Sequence, residues 1–187
     1  MKLIGGILIG LLVLAIIVGM SLMGSYNSLV TGREAVDTQW AQVESQYQRR
    51  FDLIPNLVES VKGVMEQEKE IFTALAEART RYSGAQTPEQ KVEAANQVES
   101  ALGRLLVITE NYPQLKSSEV MQTFMAQLEG TENRISVERQ RYNEQVQSYN
   151  LQVKRFPGSI IASMFGFSPR TMFEAAAGAE NAPKVEF

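Results

Sequence analysis

From Val36 the chain keeps a seven-residue repeat. One row reads Val36, Val43, Arg50, Leu57, Val64, Ile71 and Ala78; the other reads Trp40, Tyr47, Ile54, Val61, Glu68 and Leu75. Apolar positions averaging 3.5 residues apart over this length cannot alternate across a strand and exceed what a lone surface helix needs. They predict an all-α supercoiled bundle or coiled coil. Arg50 and Glu68 are the only charged residues in the two rows.

A second feature precedes the repeat. After Lys2, the run Leu3–Met23 carries no charge and is long enough to cross a bilayer as a helix. A cleaved signal peptide would have a shorter apolar part and an A-x-A-like end, and neither is clear here. The chain has no cysteine, which excludes a lipoprotein anchor. Residues 1–25 are therefore expected to be an uncleaved transmembrane signal anchor, followed by a helical domain over 26–175 and an extended tail over 176–187. Lys2 lies before the span, whereas Arg33 after it is offset by Glu34 and Asp37. By the positive-inside rule the amino end stays in the cytoplasm, with the bundle outside the cytoplasmic membrane.

Composition removes several function classes. With neither histidine nor cysteine, there is no imidazole base, thiol nucleophile, disulfide, zinc site or Glu-x-x-His di-iron pattern. The formal net charge is −3 with both signs interspersed, which offers no footprint for nucleic acid. Neither cofactor nor metal is expected. Glu129, Glu132, Asn133 and Glu138 could offer oxygen ligands to a divalent cation, but Arg134, Arg139 and Arg141 lie among them and can neutralise them internally. Ser60 and Lys62 are two residues apart, so on a helix they face different directions and form no dyad.

The punctuation of the chain defines three long helices. The first runs from about Tyr26 to Arg81, roughly 80 Å if unbroken. "YSGAQTPEQ" ends it, with Thr87 as cap, Pro88 at the first helical position and Gln90 completing a capping box. The second helix extends to Tyr112, where "YPQLKSSEV" breaks it and Ser118 can cap the third. That third helix ends at Pro157 and Gly158, and "SIIASMFGF" makes a short apolar helix. On this reading the second helix, less than half as long as the first, covers only one half of it. The other half, with Trp40, Val43 and Tyr47, needs a partner: either the third helix, bending near Gly130, or another copy of the chain. These three residues are the expected assembly seam.

The motifs "RRFDLIPNLVESVKG", "ENYPQLK", "GTENRISVERQRYNEQVQSYN", "FPGSIIASMFGF" and the closing "PKVEF" resemble the LemA family of bacterial membrane proteins, over essentially the whole chain from Tyr26. The resemblance implies an amino-terminal membrane helix followed by an antiparallel bundle of about four helices, with no known catalytic activity. Some relatives serve in magnetosome formation.

Three groups of residues remain to be placed. Arg49, Arg50, Asp52 and Asn56, with Glu110 and Asn111 as partners from the "ENYPQLK" turn, are expected to form a structural polar network, because a guanidinium in a heptad row must be paired. Ile160, Ile161, Met164, Phe165 and Phe167 are too apolar for water and are expected to contact the bundle, a neighbouring subunit, a partner or a membrane. Gly6 and Gly10 form a G-x-x-x-G that permits close packing of transmembrane helices. The function this suggests is a non-enzymatic, membrane-anchored scaffold or interaction protein of the bacterial cell envelope. Its partners would be membrane lipid, further copies of itself and envelope proteins. The alternative is an accessory subunit of a membrane enzyme such as a protease.

Overall fold

The computed structural model describes residues 2–62 and 69–173. Among them the chain is all-α: α1 (Lys2–Lys62), α2 (Lys69–Gly84), α3 (Pro88–Thr109), α4 (Pro113–Lys116), α5 (Glu119–Lys154) and α6 (Gly158–Phe165). Position 64 of one heptad row, position 68 of the other and the tail expected over 176–187 lie outside the described residues.

The chain divides into two compact units. One comprises the residues up to Gln39 and those from Arg139 onward, and the other comprises Trp40–Glu138.

The Trp40–Glu138 unit corrects the first expectation. The long first helix is not one rod to Arg81. The Phe51 and Tyr82 rings meet edge to face with centroids 4.3 Å apart. A continuous helix would hold these residues about 46 Å apart, so the chain reverses between them. It reverses again at Thr87, whose hydroxyl accepts from the Gln90 amide while the Gln90 side chain accepts from the Thr87 amide, with Pro88 at the helix start. This capping box is the one the sequence predicts. A third reversal passes through α4, where Pro113 opens a single helical turn. Ser118 then accepts from the Met121 amide at the start of α5.

Four helical segments thus alternate in direction and share one core. α1 contributes Val43, Tyr47, Phe51, Ile54, Leu57 and Val61, and α2 contributes Ile71, Leu75, Ala78 and Tyr82. Val98, Leu102 and Leu105 come from α3, and Met121, Phe124, Leu128 and Ile135 from α5; all are buried. The heptad rows therefore mark the right faces. α1 continues through Pro55, which lies on the exposed side, and α5 runs unbroken through Gly130.

In the other unit, Leu29 and Val36 of α1 are buried together with Tyr142, Val146, Tyr149 and Val153 of α5. The two helices approach closely at Gly32, where an added Cβ would stand 2.9 Å from Gln152 Oε1 and 3.2 Å from the Tyr149 ring. The turn into α6 is equally tight, since a Cβ on Gly158 would collide with the backbone carbonyl of Gln152. α6 then packs Ile161 and Ala162 inward. The amino-terminal part of α1 contains an 18-residue window of mean hydropathy 2.7 with none of it buried, long and apolar enough to cross a membrane.

Candidate functional site

Three side-chain constellations stand out. The first surrounds Arg50. Its heptad position turns it into the core of the Trp40–Glu138 unit, where its side chain is 6% exposed and pairs through Nη2 with Glu132. Its Nε has no hydrogen-bond partner among the described residues. Arg49, Asp52, Asn56, Glu110 and Asn111 are all exposed, and Asp52 accepts from Gln48 at 2.9 Å. Of the expected assembly seam, Val43 and Tyr47 are buried and Trp40 is half-buried.

Beside Arg50 lies an aromatic cluster. The Tyr47 and Tyr82 ring centroids are 6.0 Å apart, and Phe51 stacks on Tyr47 at 6.2 Å. Lys91 pairs with Glu44 and reaches over the Tyr82 ring. The Tyr82 hydroxyl is buried with no hydrogen-bond partner among the described residues. Burial first, then the Glu44 carboxylate and Tyr47, pushes its pKa far above the usual phenol range. Ser60, considered for a dyad, donates to the Asn56 carbonyl at 2.7 Å.

The second constellation was not foreseen. Asn150 Nδ2 donates to the Arg170 carbonyl and Asn150 Oδ1 accepts from the Arg170 amide, each at 2.8 Å. Asn143 does the same for Phe173, donating to its carbonyl at 3.0 Å and accepting from its amide at 2.8 Å. Two carboxamides on α5 thus grip an extended segment as a neighbouring strand would. The spacing explains the fit. Seven helical residues advance about 10.5 Å, and three extended residues advance about 10 Å, so Asn143 and Asn150 fall opposite Phe173 and Arg170. Arg170 also pairs with Asp37 of α1 at 2.9 Å, and Phe173 packs its ring on Tyr142 and under Arg139. The signal was available as two asparagines one heptad apart beside the buried positions Tyr142 and Tyr149.

This clamp can be tested. Asn150→Ala removes two hydrogen bonds worth about 0.5–1.5 kcal/mol each. The segment should then open roughly tenfold more often. Trypsin cleavage after Arg170, compared with wild type, reads that opening; an unchanged rate would show that other contacts hold the segment.

The third constellation is α6. Of the apolar set expected to make contacts, Ile161 and Phe167 are buried, whereas Ile160, Met164 and Phe165 are exposed. Phe165 and Phe167 place their rings on Tyr26 at 5.0 and 5.9 Å, and Arg33 lies over Phe167. Gly6 and Gly10 face open space, with nothing within 4 Å of an added Cβ on either.

Comparison with known proteins gives these features a family setting. The chain is 27% identical over 180 residues to the magnetosome proteins MamQ 1 and MamQ 2 of Paramagnetospirillum magneticum, an alignment covering 82% of this chain and 66% of each relative. It is also 27% identical over 173 residues to magnetosome protein MamQ of Magnetospirillum gryphiswaldense, covering 79% of this chain and 64% of that one. The chain therefore spans just under two thirds of the length of these magnetosome relatives. Protein LemA of Metamycoplasma hominis is 22% identical over 155 residues, covering 82% of this chain and 71% of the relative. The LemA family profile matches residues 39–187, most of the chain and nearly all of its packed helices, and on that match the chain belongs to the LemA family.

Proposed function

We propose that this is a single-span membrane protein whose helical domain is a non-enzymatic scaffold, placing interaction surfaces beside the bacterial cytoplasmic membrane. The carrying observation is the continuity of α1. One helix leads from a wholly exposed apolar stretch into buried positions at Leu29 and Val36, so anchor and domain share a single element. Residues 1–25 serve as the anchor, and the charge balance around the span leaves the domain on the outer side. Relatives named as magnetosome proteins support a role in organising an assembly.

Self-association is assigned to the span, where Gly6 and Gly10 offer an open surface for a second helix. Polar clusters such as Arg50–Glu132 set helix register. The alternative is an accessory subunit of a membrane enzyme such as a protease.

Because the chain has no cysteine, an introduced thiol reports alone. Val13→Cys lies one turn from Gly10 on the same face, and Leu11→Cys lies about 200° away from it around the helix. Oxidising native membranes at low expression should crosslink Val13→Cys to itself and leave Leu11→Cys monomeric. Monomers at both positions, with another membrane protein co-purifying in equal amount, would replace self-assembly by the accessory-subunit reading.

A further inference from the structure

α6 has two apolar faces. Ile161 and Ala162 point into the fold, while Phe156 just before the helix is 81% exposed, Met164 71%, Phe165 58% and Ile160 47%. Ile160 and Met164 are spaced by four, on one side of the helix, and Phe156 stands exposed in the turn that leads into it. A helix that is apolar all round is ordinarily buried on all sides, and a contiguous exposed patch of this kind marks a contact surface. The outer patch therefore requires a neighbour.

Its place in the fold identifies that neighbour. The uncharged run of α1 ends at Met23, and Tyr26 follows only about 4.5 Å further along the axis. Phe165 packs its ring edge on Tyr26 at 5.0 Å. The patch is thus continuous with the end of the apolar span, at the depth where a bilayer passes from acyl chains to headgroups. Tyrosine is enriched at that depth. Lys154 and Arg155, both exposed, stand immediately before Phe156 and supply the charge that phosphate headgroups attract.

We infer that α6 and Phe156 form a second membrane contact: Phe156, Ile160, Met164 and Phe165 insert into the headgroup–acyl boundary of the bilayer that α1 crosses, with Lys154 and Arg155 against lipid phosphate. Interfacial helices of this type bury their apolar face about 5–10 Å into that boundary. The patch thereby leaves water, and the domain is held to the surface at two points. This inference rests on the spanning reading of α1.

The test uses the full chain in vesicles of phosphatidylcholine and phosphatidylglycerol. Single cysteines at Met164, Ile160, Ile16 or Gln140 each carry an environment-sensitive fluorophore, and nitroxide-bearing lipids are the quencher. Ile16 reports the span. Gln140, exposed on α5 and about 21 Å along that helix from Lys154, reports water. The probes at Met164 and Ile160 should emit as in an apolar medium and lose most of their fluorescence to nitroxides near the headgroup. The Ile16 probe should respond to deeper nitroxides and the Gln140 probe to neither. Quenching at Ile16 with water-like emission at Met164 and Ile160 would overturn the inference and leave the span standing. Apolar emission at Met164 without quenching would show protein covering the patch, a second copy or a partner, and would equally overturn it. Quenching at Gln140 as strong as at Met164 would also overturn it. An Ile16 probe untouched by lipid nitroxides would remove the spanning reading and this inference together.

Discussion

Replacing Phe51 by alanine should destabilise the Trp40–Glu138 unit by about 3–5 kcal/mol, the usual cost of truncating a large buried ring. Phe51 is 2% exposed and lies between Tyr47 and Tyr82, so the vacated volume has aromatic walls that cannot collapse without moving α2. The more telling number is the coupling. Tyr82→Ala and Phe51→Ala should be non-additive by about 0.5–1.5 kcal/mol, the range for an aromatic pair in contact. Additive effects in a denaturant-melt cycle would mean that the rings do not touch and that the chain does not reverse between Phe51 and Tyr82.

The second large effect is Glu132→Ala. An arginine stays charged under all ordinary conditions, so removing its partner leaves the Arg50 guanidinium nearly buried and unpaired, with its Nε already lacking a partner among the described residues. Breaking a buried pair typically costs about 3–5 kcal/mol. The lower end applies here, because the Glu132 side chain is 43% exposed and its charge is partly screened by water. For a unit of this size each kcal/mol is worth about 4–8 °C of melting temperature. Arg50→Met should cost much less, since the glutamate left behind can turn to solvent and an apolar chain fills the core. Equal losses from the two variants would contradict the burial asymmetry, and no loss from Glu132→Ala would contradict the pairing.

The periodicity of the chain conveyed burial better than connectivity. Val43, Tyr47, Ile54, Leu57, Val61, Ile71, Leu75 and Ala78 all fall in the two rows read from the sequence, and all are buried. Period alone says which face turns inward, not what it meets. A repeat that stays in phase from α1 into α2 looks the same whether the chain runs straight or folds back. Capping chemistry was the reliable guide: Thr87, Pro88, Gln90 and Ser118 act locally through the backbone, and each is found where expected. The Asn143 and Asn150 clamp escaped notice because its partner is an extended segment, and extended segments carry no period of their own.

The continuity of α1 has a mechanical meaning. An anchor joined through a flexible linker would let the domain swivel freely, whereas here the helix is unbroken from the apolar stretch to Leu29 and Val36. It acts as a drive shaft. Each residue turns the helix by about 100°, so the side of the span on which Gly6 and Gly10 lie fixes the compass bearing of the domain residues attached to the same rod. Lateral pairing of two spans would therefore dictate which flanks of their domains come face to face. One residue inserted near Ser25 would swing that bearing by more than a quarter turn and leave every contact inside the domain intact.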